Sequence, residues 1–201
     1  MENNSTINYY NENSEKFIAS TINIDMSNIY SLFLKNIKPN ARILDAGCGS
    51  GRDSKYFKSL GYEVEAFDAS QKLCDSATQH IGQEVQCSTF REYYNKDNKK
   101  FDAIWACASL LHIQKNELKE NIQNLIETLN PGGIFYTSFK DSNDLNTENE
   151  RQFTDMTIEE LKDFLVREIK LEVIELWATK DARTSRSNIW SNIICRTPST
   201  V

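Results

Sequence analysis

The sequence predicts an α/β fold in which a mostly parallel sheet carries helices on both faces. Short apolar runs alternate with amphipathic stretches of helical period, and this alternation is typical of βαβ units. A proline and two glycines at 131–133 predict a turn into one of the strands. The predicted strands span 42–46, 63–67, 84–88, 101–106 and 134–139, and the predicted helices between them span 53–60, 71–81 and 116–129.

The two ends of the chain add helices and a closing strand pair. Residues 5–22 and 25–37 have apolar positions at helical spacing, which predicts two helices before the first strand. Gly61 stands where the first crossover helix should end. Near the other end, the sequence predicts a capping box that opens a helix from Thr157 to about Leu165, an antiparallel pair at 171–178 and 188–196, and polar segments at 141–150 and 179–187.

Size and charge exclude several classes of protein. The 201 residues fit one domain with a substantial core. The 23 basic and 29 acidic residues give a net charge of −6, which argues against gripping nucleic acid or an anionic membrane with the whole surface.

Cysteine and histidine usage predicts a metal-free protein of a reducing compartment. There are five scattered cysteines and two histidines, without a CxxC pair, so a zinc site is not expected. The first residues have no basic and apolar signal pattern, and the longest apolar run, 103–113, is short for a membrane span of about 20 residues. These features favour the cytoplasm.

A glycine-rich loop follows the first predicted strand and is the strongest functional signal. Gly47, Gly49 and Gly51 lie between an apolar strand and a helix, where glycine lets the backbone approach a ligand at a helix N-terminus. The spacing departs from the G-x-G-x-x-G dinucleotide pattern because Arg52 takes the third glycine position, and no P-loop lysine follows. Asp45, just before the glycines, would repel a pyrophosphate but suit a cationic ligand.

A second acidic residue ends the next predicted strand. Asp68 lies 17 residues beyond Gly51, where such folds place an acid that binds ribose hydroxyls. Together with Asp45 it indicates a nucleoside that carries a positive, amine-bearing tail. S-adenosylmethionine fits this description.

The ordered motifs resemble those of class I S-adenosylmethionine-dependent methyltransferases, and most of all the tellurite-resistance-type small-molecule subgroup. The resemblance runs from about residue 41 to 195. It rests on segments 43–53, 68–70, 101–106, 110–112 and 129–133, with 151–157, 181–183 and 190–192 in the tail.

This resemblance implies a Rossmann-like fold, a domain division and a set of cofactor-binding residues. The sheet would have seven strands, six of them parallel and the last inserted antiparallel, so that a hairpin closes the C-terminal side. One domain, 1–201, would comprise a helical lid at 1–38 and a cofactor-binding core at 41–196. The residues implied to bind S-adenosylmethionine are Tyr10, Asp45, Gly47, Cys48, Gly49, Gly51, Arg52, Asp68, Ala69, Ser70, Thr89, Phe90, Ala106 and Cys107.

Methyl transfer from a sulfonium is an in-line displacement that leaves S-adenosylhomocysteine, so the protein mainly has to align the reactants and exclude water. A base is needed only where the nucleophile is protonated at neutral pH. His112, just beyond the fourth strand, is the candidate catalytic residue, as a base or a positioning group. A helix-capping or core histidine is the structural alternative.

The polar loop at 179–187 is locally basic and should emerge at the ligand-binding edge. We expect Arg183 and Arg186, together with Arg151, to recognise an anionic group on the acceptor. Trp190 is interpreted as a packing residue, with a place in the wall of the acceptor pocket as its functional alternative. A solvated hairpin loop is the alternative.

The leading hypothesis is therefore an enzyme, monomeric or homodimeric, that methylates a small molecule and needs no membrane. A tRNA-modifying methyltransferase of the wobble-uridine type, acting with a partner, is a second reading. A non-catalytic cofactor-binding module is the third.

Overall fold

A computed structural model describes residues 4–141, 153–183 and 187–199. The strands of the described part are β1 (Arg42–Ala46), β2 (Glu63–Asp68), β3 (Gln86–Cys87), β4 (Phe101–Ala106), β5 (Leu129–Lys140), β6 (Glu172–Lys180) and β7 (Ile189–Arg196). The helices are α1 (Asn4–Glu12), α2 (Ser14–Thr21), α3 (Ser27–Leu34), α4 (Arg52–Ser59), α5 (Gln71–Ile81), α6 (Lys115–Ile126) and α7 (Ile158–Asp163), with a 3₁₀ turn at Leu110–His112 and a π-helical turn at Phe164–Glu168.

The seven strands form one sheet in the order β3-β2-β1-β4-β5-β7-β6. The pairs from β3 to β5 are parallel, whereas β7 lies antiparallel between β5 and β6. This confirms the predicted fold class and the inserted antiparallel strand. The strand order reverses between β1 and β4, and open sheets of this kind bind ligands at the carboxyl edge beside such a reversal.

Helices cover both faces of the sheet, and neighbouring strand residues serve opposite faces. Leu44 and Ile104 pack with apolar residues of α6 and α7. Ile43 and Trp105 pack with residues of α3 and α4 on the other side. Every residue of β1 is buried, and the strand is apolar apart from Arg42 and Asp45.

Several predicted elements have different bounds in the structure, and the strand predicted at 134–139 extends over Leu129–Lys140. The predicted helix 5–22 is two helices, because Asn13 leaves helical geometry and its side-chain amide donates to the carbonyl oxygen of Tyr9. The third strand is only Gln86–Cys87 rather than 84–88. The helix predicted at 116–129 begins at Lys115 and ends at Ile126.

Turn and cap signals are confirmed at two helix ends and modified at one strand. Thr157 accepts the backbone N–H of Glu160 while the Glu160 carboxylate accepts that of Thr157, which is the predicted capping box. Gly61 follows α4 with φ +89°. The turn predicted at 131–133 lies inside β5 as a bulge, since Leu129 pairs with Phe101 and Ile134 already pairs with Ala103.

Within the described residues, no helix has the length and apolarity that crossing a membrane would require.

Candidate functional site

A cleft of about 220 Å³ runs along the carboxyl edge of the sheet. Its first half lies over β3, β2 and β1 and includes the glycine loop and Asp68. Its second half lies over β4, β5, β7 and β6 and includes His112 and Trp190. Side chains from α1 and α2, including Tyr10 and Phe17, cover the cleft, and we call these two helices its roof.

The glycine loop takes a backbone path that requires glycine. Gly47, Gly49 and Gly51 all have positive φ, at +79°, +55° and +76°. A Cβ at Gly47 would lie 2.5 Å from the Cβ of Ser109, and one at Gly51 would lie 2.9 Å from Ile81 Cδ1. The glycines therefore serve both the turn and its close packing against the next elements.

Asp68 connects the end of β2 to this loop. One carboxylate oxygen accepts the backbone N–H of Gly49 at 2.9 Å and the other accepts that of Ser70 at 2.9 Å. Burial raises the pKa of Asp68, and these N–H donors oppose the rise. Each oxygen keeps a second acceptor site for a ligand hydroxyl.

Asp45 has a different environment from the one the sequence suggested. Its carboxyl group is 2% exposed, does not line the cleft, and accepts a 2.6 Å hydrogen bond from the Ser54 hydroxyl. Burial, with the nearby negative charge of Asp53, raises the pKa of Asp45 to about 8. A raised pKa favours the protonated form, which reduces the negative charge that Asp45 would offer a cationic ligand.

Asp53 is a buried carboxylate of the cleft that the sequence reasoning missed. It accepts hydrogen bonds from the Tyr30 hydroxyl at 2.5 Å and the Trp105 indole N–H at 2.8 Å. The Arg52 guanidinium donates to both oxygens, at 2.5 and 3.0 Å. Burial alone would raise the pKa of Asp53, but the Arg52 charge and these donors lower it overall, so the group stays ionised. The sequence shows Arg52 and Asp53 directly after the glycines, but it does not show that Tyr30 on α3 and Trp105 on β4 bind the same carboxylate.

The roof is attached to both halves of the cleft. The Tyr10 hydroxyl lies 2.9 Å from His112 Nε2, and the Tyr10 ring packs edge-on against Phe17. The side-chain oxygen of Asn11 accepts from the Ser70 hydroxyl at 2.7 Å. These contacts place α1 over the cleft.

His112 lies in the 3₁₀ turn after β4 and lines the cleft at its centre. Its ring is half-buried and packs against Tyr10 and Phe153, with ring centroids 5.4 and 5.1 Å away. Because Tyr10 occupies Nε2, the proposed base is also part of the contact that holds the roof.

Arg183 lines the second half of the cleft but already has a carboxylate partner. Its guanidinium donates to Asp181 at 2.9 and 2.6 Å, and the Trp190 indole donates to the same carboxylate at 3.2 Å. Burial acts to raise the pKa of Asp181, but the hydrogen bonds from Arg183 and Trp190 and the charge of Arg183 lower it overall. Two nitrogens of Arg183 therefore contact Asp181, and the anion contact that the sequence predicts for Arg183 stays a prediction. Arg151 and Arg186 lie outside the described residues.

Most of the predicted cofactor-binding residues meet in the cleft. Four of them, Asp45, Gly51, Thr89 and Ala106, do not line it. Those that line it are Tyr10, Gly47, Cys48, Gly49, Arg52, Asp68, Ala69, Ser70, Phe90 and Cys107.

The floor of the second half consists of strand side chains that the sequence analysis did not select. Tyr136, Ser138 and Lys140 alternate along β5 and all line the cleft. Asn192 on β7 lies opposite Ser138 and accepts the Tyr136 hydroxyl at 2.8 Å. The sequence alone shows that these three residues share one face of the strand, because side chains alternate between the two faces. Which of the two faces meets a ligand depends on the order of the strands in the sheet. Among the described residues, no group of three histidine, cysteine or acidic side chains is placed to hold a metal ion.

Comparison with known families agrees with this geometry. Residues 43–133 match the family model described as a methyltransferase domain, and the matched segment includes the glycine loop, Asp68 and His112. The segment 43–133 is therefore similar to a methyltransferase domain. The match covers just under half of the chain, from β1 into the bulge of β5.

Relatives of the methyltransferase domain include O-methyltransferases. The chain is 34% identical over 95 residues to a malonyl-[acyl-carrier protein] O-methyltransferase of Enterobacter lignolyticus, covering 47% of this chain and 37% of that protein. It is 32% identical over 101 residues to a ubiquinone biosynthesis O-methyltransferase of Coxiella burnetii, covering 48% of this chain and 42% of that protein. The chain thus matches less than half the length of either relative.

A solved structure extends the likeness to nearly the whole chain. The 1,6-didemethyltoxoflavin-N1-methyltransferase of Burkholderia thailandensis, crystallised with 1,6-didemethyltoxoflavin and S-adenosylhomocysteine, superposes with a TM-score of 0.78. It covers 98% of this chain and 88% of that protein at 18% identity. The likeness confirms the fold outside the methyltransferase domain, including the region of the hairpin β6–β7.

Proposed function

We propose that this protein transfers a methyl group from S-adenosylmethionine to a small-molecule acceptor. The proposal depends above all on one observation, the hydrogen bond from the Gly49 N–H to Asp68 at the carboxyl edge of the sheet. It joins a loop of left-handed glycines to a carboxylate with spare acceptor capacity. This combination suits a ligand that brings ribose hydroxyls to Asp68 and a polar tail to the loop.

The side chains around the first half of the cleft fit this cofactor. Phe90 and Ser88, beyond β3, provide an apolar ring and a hydroxyl for the adenine. Cys107 lies after β4, beside the loop, where the methionine part would lie. Thr89 instead bonds Glu92 at 3.0 Å and faces away from the cleft, so Ser88 replaces it in the proposed adenine contact.

The chain's own contribution to the reaction is alignment and exclusion of water. When bound, S-adenosylmethionine supplies a methyl group on a positively charged sulfur, ready for in-line displacement. Tyr10 and Phe17 cover the cleft from α1 and α2 and keep water from it. Holding two reactants in line can contribute about 7–11 kcal/mol to lowering a barrier.

His112 is the proposed proton acceptor or positioning group at the acceptor side. Its Nε2 is shared with the Tyr10 hydroxyl, so it takes a proton from the acceptor only after that hydrogen bond opens. A purely structural histidine would act through the roof alone. In that case His112→Ala and Tyr10→Phe would lower kcat equally and neither would alter its pH profile, whereas a base predicts a changed profile for His112→Ala only.

We also propose the finer assignments that accompany this function. The motif order favours the tellurite-resistance-type subgroup, residues 1–38 act as the lid of a single domain over a core at 41–196, and the compartment is the cytoplasm. The five free cysteines support a reducing compartment.

Two measurements test the proposal. Calorimetry with S-adenosylhomocysteine should show binding to the first half of the cleft, and no heat at micromolar protein would contradict the cofactor assignment. Methyl-labelled S-adenosylmethionine should then be incubated with the protein and a cell extract that is separated into small-molecule, RNA and protein fractions. Label in the small-molecule fraction supports the proposal, and label confined to RNA or protein overturns the acceptor class.

A further inference from the structure

Arg52 and Asp53, the first two residues of α4, form an ion pair directly after the glycine loop. Both side chains are largely buried, and both residues line the cleft. A buried ion pair is weak evidence for stability, because removing two charges from water costs free energy that their attraction repays only in good geometry. In a ligand cleft such a pair is more informative about binding.

Asp53 has no acceptor position left for a ligand. Its Oδ1 accepts from the Tyr30 hydroxyl and from Arg52 Nε, each at 2.5 Å. Its Oδ2 accepts from the Trp105 indole at 2.8 Å and from Arg52 Nη2 at 3.0 Å. A carboxylate offers about four acceptor positions, and these four donors use them all. Asp53 therefore holds other side chains in place instead of contacting a ligand.

The two uncharged donors to Asp53 are fixed by the core. Tyr30 on α3 is 4% exposed, and Trp105 on β4 is fully buried. The Tyr30 ring stacks on Tyr56 with centroids 4.2 Å apart and lies 5.5 Å from the Trp105 ring. Asp53 cannot turn without breaking bonds to both elements, so the orientation of the guanidinium that it binds is set by the fold.

Arg52 keeps hydrogen-bond donors that the fold does not use. A guanidinium has five N–H donors. Asp53 takes one from Nε and one from Nη2, and the backbone oxygen of Thr21 takes one from Nη1 at 3.4 Å. Within the described part of the chain, Nη1 and Nη2 each keep one donor, and the side chain is 18% exposed where it lines the cleft. Two donors on neighbouring nitrogens match the two oxygens of a carboxylate.

We propose that Arg52 binds the carboxylate of the cofactor's amino-acid tail, and that Asp53 is the positioning residue that holds the guanidinium for this contact. The inference rests on the proposed function and names the part of the cofactor that Arg52 recognises. Asp68, which bonds Gly49, receives the ribose, and Arg52, which follows Gly51, receives the other end of the same molecule. Because the guanidinium is already fixed, little side-chain freedom is lost on binding.

Two ligands that differ only in the carboxylate test this inference by calorimetry. S-adenosylhomocysteine has the whole tail, whereas its decarboxylated analogue keeps the amine and lacks the carboxylate. The wild-type protein should bind S-adenosylhomocysteine about tenfold or more tightly than the analogue, as expected for a charge-assisted pair of hydrogen bonds. The ratio of the two dissociation constants measures the carboxylate contact, because general damage to the site weakens both ligands alike.

Variants of the pair then locate the contact. Arg52→Gln should reduce the ratio to within about twofold of unity. Asp53→Asn should lower the ratio by about threefold or more, because the guanidinium loses its partner, and adding Arg52→Gln to this variant should lower it little further. Lys55→Gln is the matched control, since it removes an exposed amine of the same helix, and should leave the ratio within about twofold of the wild-type value.

The outcomes separate the inference from the proposed function. Equal binding of the two ligands by the wild-type protein, or a wild-type ratio in folded Arg52→Gln, would overturn the inference and leave cofactor binding standing. An unchanged ratio in Asp53→Asn, with both ligands weakened, would make Asp53 a structural residue and contradict its positioning role.

The test does not depend on one variant. If Arg52→Gln does not fold, Arg52→Lys keeps the charge without the planar fork and should lower the ratio by about threefold or more. If the wild-type protein binds neither ligand, the proposed function is overturned and the inference with it.

Discussion

The two halves of the cleft are built in different ways. The first half consists largely of backbone and two carboxylates, most of them drawn from the stretch between β1 and the start of α5. The second half consists of side chains from β5, β6 and β7, which are distant in sequence and meet only because β7 is inserted in the sheet. A backbone site restricts substitution at a few glycines, whereas a side-chain site can change its ligand by changing individual residues.

The halves also differ in charge. Asp53 and Asp68 are the carboxylates that line the first half, and Arg52 there is engaged by Asp53. Lys140 and Arg183 give the second half its cations. The net charge of −6 is therefore an average over two regions of opposite local charge.

The largest expected effect is at the glycine loop. Gly47→Ala should cost about 3 kcal/mol or more of unfolding free energy and abolish measurable S-adenosylhomocysteine binding, since its positive φ is combined with a Cβ contact of 2.5 Å. Gly82→Ala is the matched control, with φ +73° and no atom within 4 Å of the new Cβ, and should cost about 1 kcal/mol. Chemical denaturation and calorimetry measure both. Equal losses in the two variants would show that strain alone matters and that close packing does not.

The carboxylate of the first half should come next. Asp68→Ala removes the acceptor of two backbone N–H groups and should weaken S-adenosylhomocysteine binding by about 10- to 100-fold. Asp75→Ala, at an exposed position of α5, serves as the control. An unaltered cofactor affinity in the Asp68 variant would mean that the ribose site lies elsewhere.

The hairpin should show a smaller effect that does not reach the first half. Asp181→Ala should lower stability by about 1–2 kcal/mol, because Arg183 and Trp190 lose their shared acceptor, and should leave S-adenosylhomocysteine affinity intact. The pKa of Asp181 is lowered in the fold, so its contribution is present above the usual carboxyl pKa and is lost as pH falls through the lowered value. The denaturation midpoints of the wild-type protein and of Asp181→Ala should therefore converge as the pH is lowered from 7 to 2. Divergence at low pH would contradict this linkage.

The smallest effect is expected at the contact that joins the halves. Tyr10→Phe keeps the ring over the cleft and removes only the hydrogen bond to His112, so cofactor affinity should fall by about two- to fivefold. The change should lie in the dissociation rate, as measured by stopped-flow fluorescence. Tyr94→Phe, at a side chain that is 63% exposed, controls for the loss of a hydroxyl. If the cofactor dissociates more slowly from Tyr10→Phe than from the wild-type protein, the hydrogen bond between Tyr10 and His112 does not help to retain the cofactor.

Local signals in the sequence predicted the elements that depend on neighbouring residues. The box of Thr157 and Glu160 spans one turn of chain, and Gly61 serves the helix immediately before it. The loop glycines and Asp68 were likewise predicted from the sequence, because they lie within one βαβ unit, β1–α4–β2. The bounds of β3 and the break at Asn13 were not, since tertiary packing and a side-chain amide decided them.

Long-range contacts set the protonation states and partners that the sequence could not reveal. Asp53 is held by Tyr30 and Trp105, which are 23 and 52 residues away. Burial raises the pKa of Asp45, and burial is a property of the assembled fold rather than of the motif. Lys140 was hidden for a similar reason, because a lysine at a strand end normally indicates solvent, and only the inserted β7 brings Trp190 beside it.

The insertion of β7 also has a consequence for how the chain acquires its form during synthesis. The strand that pairs with both β5 and β6 leaves the ribosome after either of them, so β6 has no neighbouring strand until residues 189–196 are available. The nascent chain can assemble the first half of the cleft early, while the edge of β5 stays open to wrong pairing. The interval before the hairpin β6–β7 is complete is therefore the stage of synthesis at which a chaperone that covers the open edge of β5 would have the largest effect.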